Sequence, residues 1–243
     1  MQTILKTLVI HMMGIIPMNK KCLILSHVWI LDSQSYKKDV LDFTVNYFRK
    51  HNPDLYIILT GHGEPPHNET LSMCDYIHWT DFDETEIGKG HPKLVRHALE
   101  HAKEKGFDKV LKQRGDCINA EPNIHDAFDS LMGDKKMLLT SEHGVLGDLC
   151  MYGDLDLFLE GWNLEKWDTS LDGMDNFNNT FSNHDKIKWT SINEMKWVYL
   201  DPYWEEINTR ETLSNFLDNN FNYENYMWWS RVSHRAQSWP FHE

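Results

Sequence analysis

Lys109-Val-Leu-Lys-Gln-Arg-Gly-Asp116 decides how this chain of 243 residues is read. Asp108 to Arg114 reads as a strand, and Gly115-Asp116 as the turn after it. If the strand stays extended, Lys112, Arg114 and Asp116 share one side of it, because successive side chains alternate. In open α/β sheets, ligands bind just outside the carboxyl ends of the strands. A carboxylate at that edge suits a hard divalent cation with oxygen ligands, Mg2+ or Mn2+. Two cationic side chains beside it suit a diphosphate. The plainer reading is that Lys112 and Arg114 form surface ion pairs and Asp116 is a turn former or cap.

Outward from this strand, buried-type strands alternate with amphipathic helices. Residues 22–30 and 55–60 are mostly apolar runs, the mark of strands covered on both faces, and 76–79 is a shorter one. Residues 61–66 read as a loop. Val40, Leu41, Thr44, Val45 and Phe48 recur at helical spacing over 37–51, and Asn52-Pro53 stops that helix. Leu94, Val95, Ala98, Leu99 and Ala102 face inward on another helix, opened near Pro92 and ended at Gly106. Downstream, 123–133 reads as a helix and 137–140 as a strand. Asp154 reads as the cap of a helix with Leu155, Phe158, Leu159 and Trp162 on its apolar face. From about residue 163 the chain is rich in Trp, Asn and Asp without a clean period. That predicts long loops and short elements, with one more amphipathic helix over 211–221. The alternation predicts an α/β fold: a mostly parallel central sheet, helices on both faces, and an irregular C-terminal extension.

Composition excludes several classes. The net charge is −13, from 24 Lys and Arg against 37 Asp and Glu. This argues against a nucleic-acid partner, whose binding draws on phosphate neutralisation, and against a polybasic membrane-surface binder. Residues 4–18 are largely apolar but carry Lys6 and His11, and a spanning helix takes about 20 apolar residues. No transmembrane segment is expected. Residues 1–17 read as an N-terminal extension, leaving a single domain over 18–243. The four cysteines form no C-x-x-C pair and fit reduced, buried thiols in a cytosolic protein. No P-loop, G-x-G-x-x-G after the first strand, G-x-S-x-G elbow or H-E-x-x-H pair occurs.

A second polar segment, 141–154, places Glu142, His143 and Asp148 around the expected sheet edge, where a general base would lie. The plainer reading is a loop aspartate at 148 and a cap at Asp154. Gly61-His-Gly-Glu-Pro-Pro-His67 has two histidines and a glutamate, at a spacing that matches no familiar metal site. His184 could supply a late metal or phosphate ligand. Asp116, Asp148 and His184 together would also serve a metal-dependent phosphoesterase. Most tryptophans are expected in the core, since aromatics bury large areas.

Two stretches, Phe107 to Asp116 (FDKVLKQRGD) and Gly147 to Trp162 (GDLCMYGDLDLFLEGW), resemble the WavE-like lipopolysaccharide-synthesis glycosyltransferases and their viral relatives. The likeness is an ordering of elements over about 22–162. It implies a GT-A-like, Rossmann-like fold, a nucleotide-sugar donor, a glycan or lipid-linked acceptor, and Mn2+ or Mg2+. The family's K-x-R-x-D falls on Lys112, Arg114 and Asp116, with Asp116 as the metal ligand beside the diphosphate. Its aspartate before an aromatic-Gly pair falls on Asp148, which would face the acceptor and take its proton. Glu142 and His143 would bind substrate nearby. Arg114 stands where the usual D-x-D has its first carboxylate, which leaves either a metal on Asp116 or phosphate held directly by Arg114. On this resemblance, 18–162 is the nucleotide-sugar-binding core and 163–243 the acceptor side. The implied place is the cytoplasm of a bacterium or virus-infected host, free or peripheral at a membrane. A phosphoesterase and a non-catalytic sugar- or nucleotide-binding relative are the competing readings.

Overall fold

The computed structural model describes residues 8–11, 21–30, 36–80, 90–119, 123–142, 145–168, 170–171, 173–182, 184–190 and 197–199. Over 8–11, 27, 90, 140–142, 145–149, 173–174 and 197–199 it describes the backbone alone. The strands are β1 (Leu8–His11), β2 (Lys21–Ile30), β3 (Leu55–Gly63), β4 (Tyr76–Thr80), β5 (Lys109–Arg114), β6 (Cys117–Asn119), β7 (Met137–Glu142), β8 (Val145–Asp154), β9 (Ile187–Thr190) and β10 (Trp197–Tyr199). The helices are α1 (Tyr36–His51), α2 (Asn68–Ser72), α3 (Gly90–Glu104), α4 (Ile124–Met132), α5 (Leu155–Gly161) and α6 (Gly173–Phe181).

The main sheet has the order β1-β4-β3-β2-β5-β8-β7-β9. β2, β3, β4, β5, β7 and β9 run parallel, while β1 and β8 run against them. Parallel neighbours need helical crossovers, and these cover both faces. Each central strand therefore feeds two cores with alternate residues. Leu23 and Leu25 of β2 pack with Leu41, Val45 and Phe48 of α1 and Phe128 of α4. Cys22 and Ile24 pack with Val95 and Leu99 of α3, Phe158 of α5 and Phe181 of α6. This is the mostly parallel α/β sandwich expected from the sequence. All four cysteines are buried and stand outside any disulfide.

Several elements differ from expectation. Residues 8–11, read as part of an extension outside the fold, add the edge strand β1 to β4, pairing Leu8 with Trp79 and His11 with Tyr76. β3 continues through the expected loop to Gly63, because Gly61, His62 and Gly63 pair with Val28, Trp29 and Ile30. Gly61 is required there: a Cβ would sit 2.4 Å from the Trp79 ring and 2.7 Å from the Val28 carbonyl. Glu64 and His67 of that segment instead bond Lys38 and Asp39 in the first turn of α1.

Most of the polar segment read over 141–154 is the antiparallel strand β8, for which no strand was expected. Asp154 caps α5 as expected, accepting from the backbone N–H groups of Asp156 and Leu157. β9 and α6 lie in the stretch read as irregular. The helix expected over 211–221 lies outside the described residues. No helix of the described residues is long and apolar enough to cross a membrane.

Candidate active site

Two irregularities shape the carboxyl edge of the sheet. Leu25 pairs with Leu59 and Val28 with Gly61, so β2 carries one residue more than β3 over that span. Such a bulge re-aims the residues after it. Trp29 is left 39% exposed, against 4% for Trp79 and 1% for Trp162. On β8, Met151 pairs with Leu139 but Gly147 pairs with Thr140, so 148–150 form an excursion opposite β7.

At this edge lies a cleft of about 80 Å3 lined by Val28, Trp29, Lys37, Val40, Leu41, Arg114, Gly115 and Asp116. At roughly 30 Å3 per water, that matches a phosphate-sized group better than a whole nucleotide. One side is the end of β2, another the opening turns of α1, and the floor is the turn after β5.

That turn is held from several directions. Gly115 donates its N–H to the Ser26 carbonyl at 2.9 Å. Gln113, fully buried, donates its side-chain amide to the Cys117 carbonyl at 2.8 Å. Gly115 lies so close to its neighbours that a Cβ would meet Val28 Cγ2 at 2.4 Å and Leu41 Cδ1 at 3.1 Å. Across it, Arg114 Nε donates to Asp116 Oδ1 at 2.8 Å and an Arg114 terminal nitrogen to Oδ2 at 2.6 Å. Both side chains are only 15% exposed. The Cys117 thiol also donates to Asp116 Oδ1, at 3.2 Å. Burial, reinforced by the Asp116 carboxylate, pushes that thiol's pKa up and keeps it a donor.

Of the residues singled out in the sequence, Arg114 and Asp116 line this cleft together. Lys112 does not. It is completely buried on the α3–α5 side of the sheet, its ammonium 5.6 Å from the Trp162 ring centroid. The expected grouping of Lys112, Arg114 and Asp116 fails at Lys112, which packs over Trp162, while Arg114 and Asp116 bond each other at the turn after β5. Asp148 lies in the β8 excursion; its backbone is two residues beyond Cys150, which pairs with Gln113, and so reaches the carboxyl edge. Glu142 ends β7 at the same edge, paired with Val145, and His143 lies outside the described residues.

His184 falls at the other edge. It precedes β9, whose Ile187 pairs with Met137; Met137 and Val110 both pair with Gly153, at the start of β5. The five residue steps along β5 separate the two edges by about 17 Å. His184 and Asp116 therefore cannot hold one metal ion, and the phosphoesterase trio is not assembled.

No protein-family model and no curated protein sequence matches the chain. Among solved structures, a cytidylyltransferase from Leptospira borgpetersenii is similar, with a TM-score of 0.54 at 13% identity over 89% of this chain and 95% of that one. The two share a fold. The galactosyltransferase LgtC matches at a TM-score of 0.41 and 10% identity, over 71% of this chain and 74% of its own. The glycosyltransferase GlyE of Streptococcus pneumoniae matches at 0.46 and 13%, over 85% of this chain and 52% of its own.

The described side chains do not fit a divalent cation at Asp116. Each carboxylate oxygen accepts from the Arg114 guanidinium, and among the described residues the other charged group lining the cleft is Lys37. Among the described residues, no group of three or more His, Cys, Asp or Glu side chains is placed to hold a metal.

Two residues of the cleft escaped the sequence reading. Lys37 looked like an ordinary charge at a helix start. Trp29 looked like one more residue of a buried strand, since a bulge leaves no mark in hydropathy.

Proposed function

We propose that this chain is a glycosyltransferase that binds the diphosphate of a nucleotide-sugar donor at the Trp29–Asp116 cleft. The observation that carries the reading is the cleft itself: two cationic side chains and an exposed indole at the carboxyl edge of a mostly parallel sheet. Ligands of open α/β sheets bind at that edge. The resemblance of 107–116 and 147–162 to the WavE-like enzymes supports sugar transfer, and with it a glycan or lipid-linked acceptor.

In this mechanism a phosphate enters the cleft and the rest of the nucleotide lies outside it, its base against Trp29. Arg114 and Lys37 stabilise the charge that develops on the departing nucleoside diphosphate. The bond between the sugar's anomeric carbon and the phosphate oxygen breaks as the acceptor hydroxyl oxygen bonds to that carbon. Asp148 takes the hydroxyl proton. Its backbone position in the β8 excursion supports that assignment. Glu142 and His143 would border the acceptor.

The deciding experiment incubates the full chain with a panel of nucleotide-sugars and candidate glycan acceptors. Acceptor-dependent release of nucleoside diphosphate supports the reading. Release of inorganic diphosphate from a nucleoside triphosphate plus a sugar phosphate would replace it with nucleotidyl transfer. The absence of thermal stabilisation by every nucleotide-sugar at high concentration would sink it, since a ligand of the native state alone raises apparent stability.

A further inference from the structure

Among the described residues, the cleft has the opposite charge balance to the chain that carries it. The protein is −13 overall, yet the described charged side chains lining the cleft are Lys37, Arg114 and Asp116, two cations against one anion. The anion is paired with the cation. Asp116 accepts two nearly parallel bonds from Arg114, at 2.8 and 2.6 Å, and a third from Cys117. A metal ion reaching Asp116 would compete with the guanidinium for the same two oxygens, in a pair that is 15% exposed. Fork-to-fork pairing of this kind fixes the guanidinium's plane as well as its position.

The backbone reinforces the arrangement. The Gly115–Ser26 hydrogen bond and the close packing of Gly115 on Val28 and Leu41 hold the turn between the two paired residues. The opening of the 16-residue helix α1, on which Lys37 lies, adds the positive end of its dipole.

We propose that Arg114 and Lys37 neutralise the diphosphate in place of a divalent cation, with Asp116 as the positioning residue that aims the Arg114 guanidinium. This rests on the donor reading above, and the test separates the two. Inorganic diphosphate and the nucleoside diphosphates UDP, GDP, CDP and ADP are titrated calorimetrically into the full chain, first in excess EDTA and then with Mn2+. Inorganic diphosphate and at least one nucleotide bind in EDTA, and Mn2+ tightens neither by more than about twofold. Lys37→Ala, a change on the rim that leaves the core intact, weakens both by about tenfold or more. Arg114→Lys, which keeps the charge but loses the fork, does the same.

Mn2+ electron paramagnetic resonance supplies a readout independent of activity: wild type and Asp116→Asn leave the same free-ion signal. Binding that appears only with Mn2+, or Mn2+ uptake that Asp116→Asn abolishes, overturns the inference and leaves the donor reading standing. If neither inorganic diphosphate nor any nucleotide binds under either condition, the donor reading fails and takes this inference with it.

Discussion

Arg114 and Asp116 face each other across a single glycine, joined by two hydrogen bonds of 2.8 and 2.6 Å. That closeness depends on Gly115 having no side chain, because a Cβ there would lie 2.4 Å from Val28 Cγ2. Gly115→Ala is expected to cost about 1–3 kcal/mol through overpacking and to weaken nucleotide binding by displacing the pair. Adding Val28→Ala removes the obstructing methyl and should restore part of both. Urea denaturation and nucleotide titration of the two single variants and the double variant check this. Strict additivity would mean that the contact does not govern the turn.

Trp29→Ala is expected to cost less stability than losing a core tryptophan such as Trp162, because the indole is 39% exposed against 1%. Base–aromatic stacking is worth about 1–3 kcal/mol, so nucleoside diphosphate affinity should fall by about fivefold or more. Inorganic diphosphate, which has no base, should bind as before. Equal losses for both ligands would place the indole's role elsewhere.

Lys112 makes the reverse prediction. Completely buried over Trp162, it is a core residue as well as a charge. Lys112→Ala should cost about 2–5 kcal/mol, as for large-to-small core changes. Lys112→Met, which keeps the stem and drops the ammonium, should cost less. A loss under about 1 kcal/mol for the alanine variant in urea unfolding would contradict the tucked placement.

Acid sensitivity should come from histidines whose pKa burial lowers, among them His125, His78 and His97. His125 is buried, donates Nε2–H to the Cys22 carbonyl at 3.0 Å, and has its pKa lowered to about 4 by burial. His78 is lowered to about 4 as well, by burial and by His97, whose ring it stacks on at 3.9 Å. Unfolded histidine titrates near 6.5, so between pH 6.5 and 4 the unfolded chain binds more protons. Stability is full above pH 6.5 and falls as pH drops through that window. For His125 the loss is on the order of 3 kcal/mol; for the half-buried His78 it is smaller. Urea midpoints from pH 7 to 4 test this, and His125→Gln, which keeps an amide donor, should flatten the slope. An unchanged slope would refute the assignment to His125.

The sequence carried the parallel core because β2 and β3 are near-continuous apolar runs and α1 and α3 keep helical spacing. It carried Arg114 and Asp116 because a strand ending in charged residues is visible without knowing its neighbours. β8 was not legible: its glycines and its Asp148 excursion look like loop, and antiparallel pairing with β5 is a tertiary fact. Lys112 was misplaced for a related reason, since where its long side chain ends is set by packing over Trp162, a tertiary contact. Trp29 and Lys37 came to line the cleft through a bulge and a helix start, both invisible to hydropathy. His184 reads as a ligand in isolation, and only the direction of β9 places it at the far edge.

Residues 197–199 return to pair with 117–119, in the register Trp197 to Asn119 and Tyr199 to Cys117. Cys117 follows Asp116 directly, so a late part of the chain is fastened one peptide bond from the cleft. A polypeptide ended at Thr190 would leave β6 without this partner, and its damage would surface at Asp116 rather than at the cut. Shortening the chain from its far end is thus, in effect, surgery on the turn after β5.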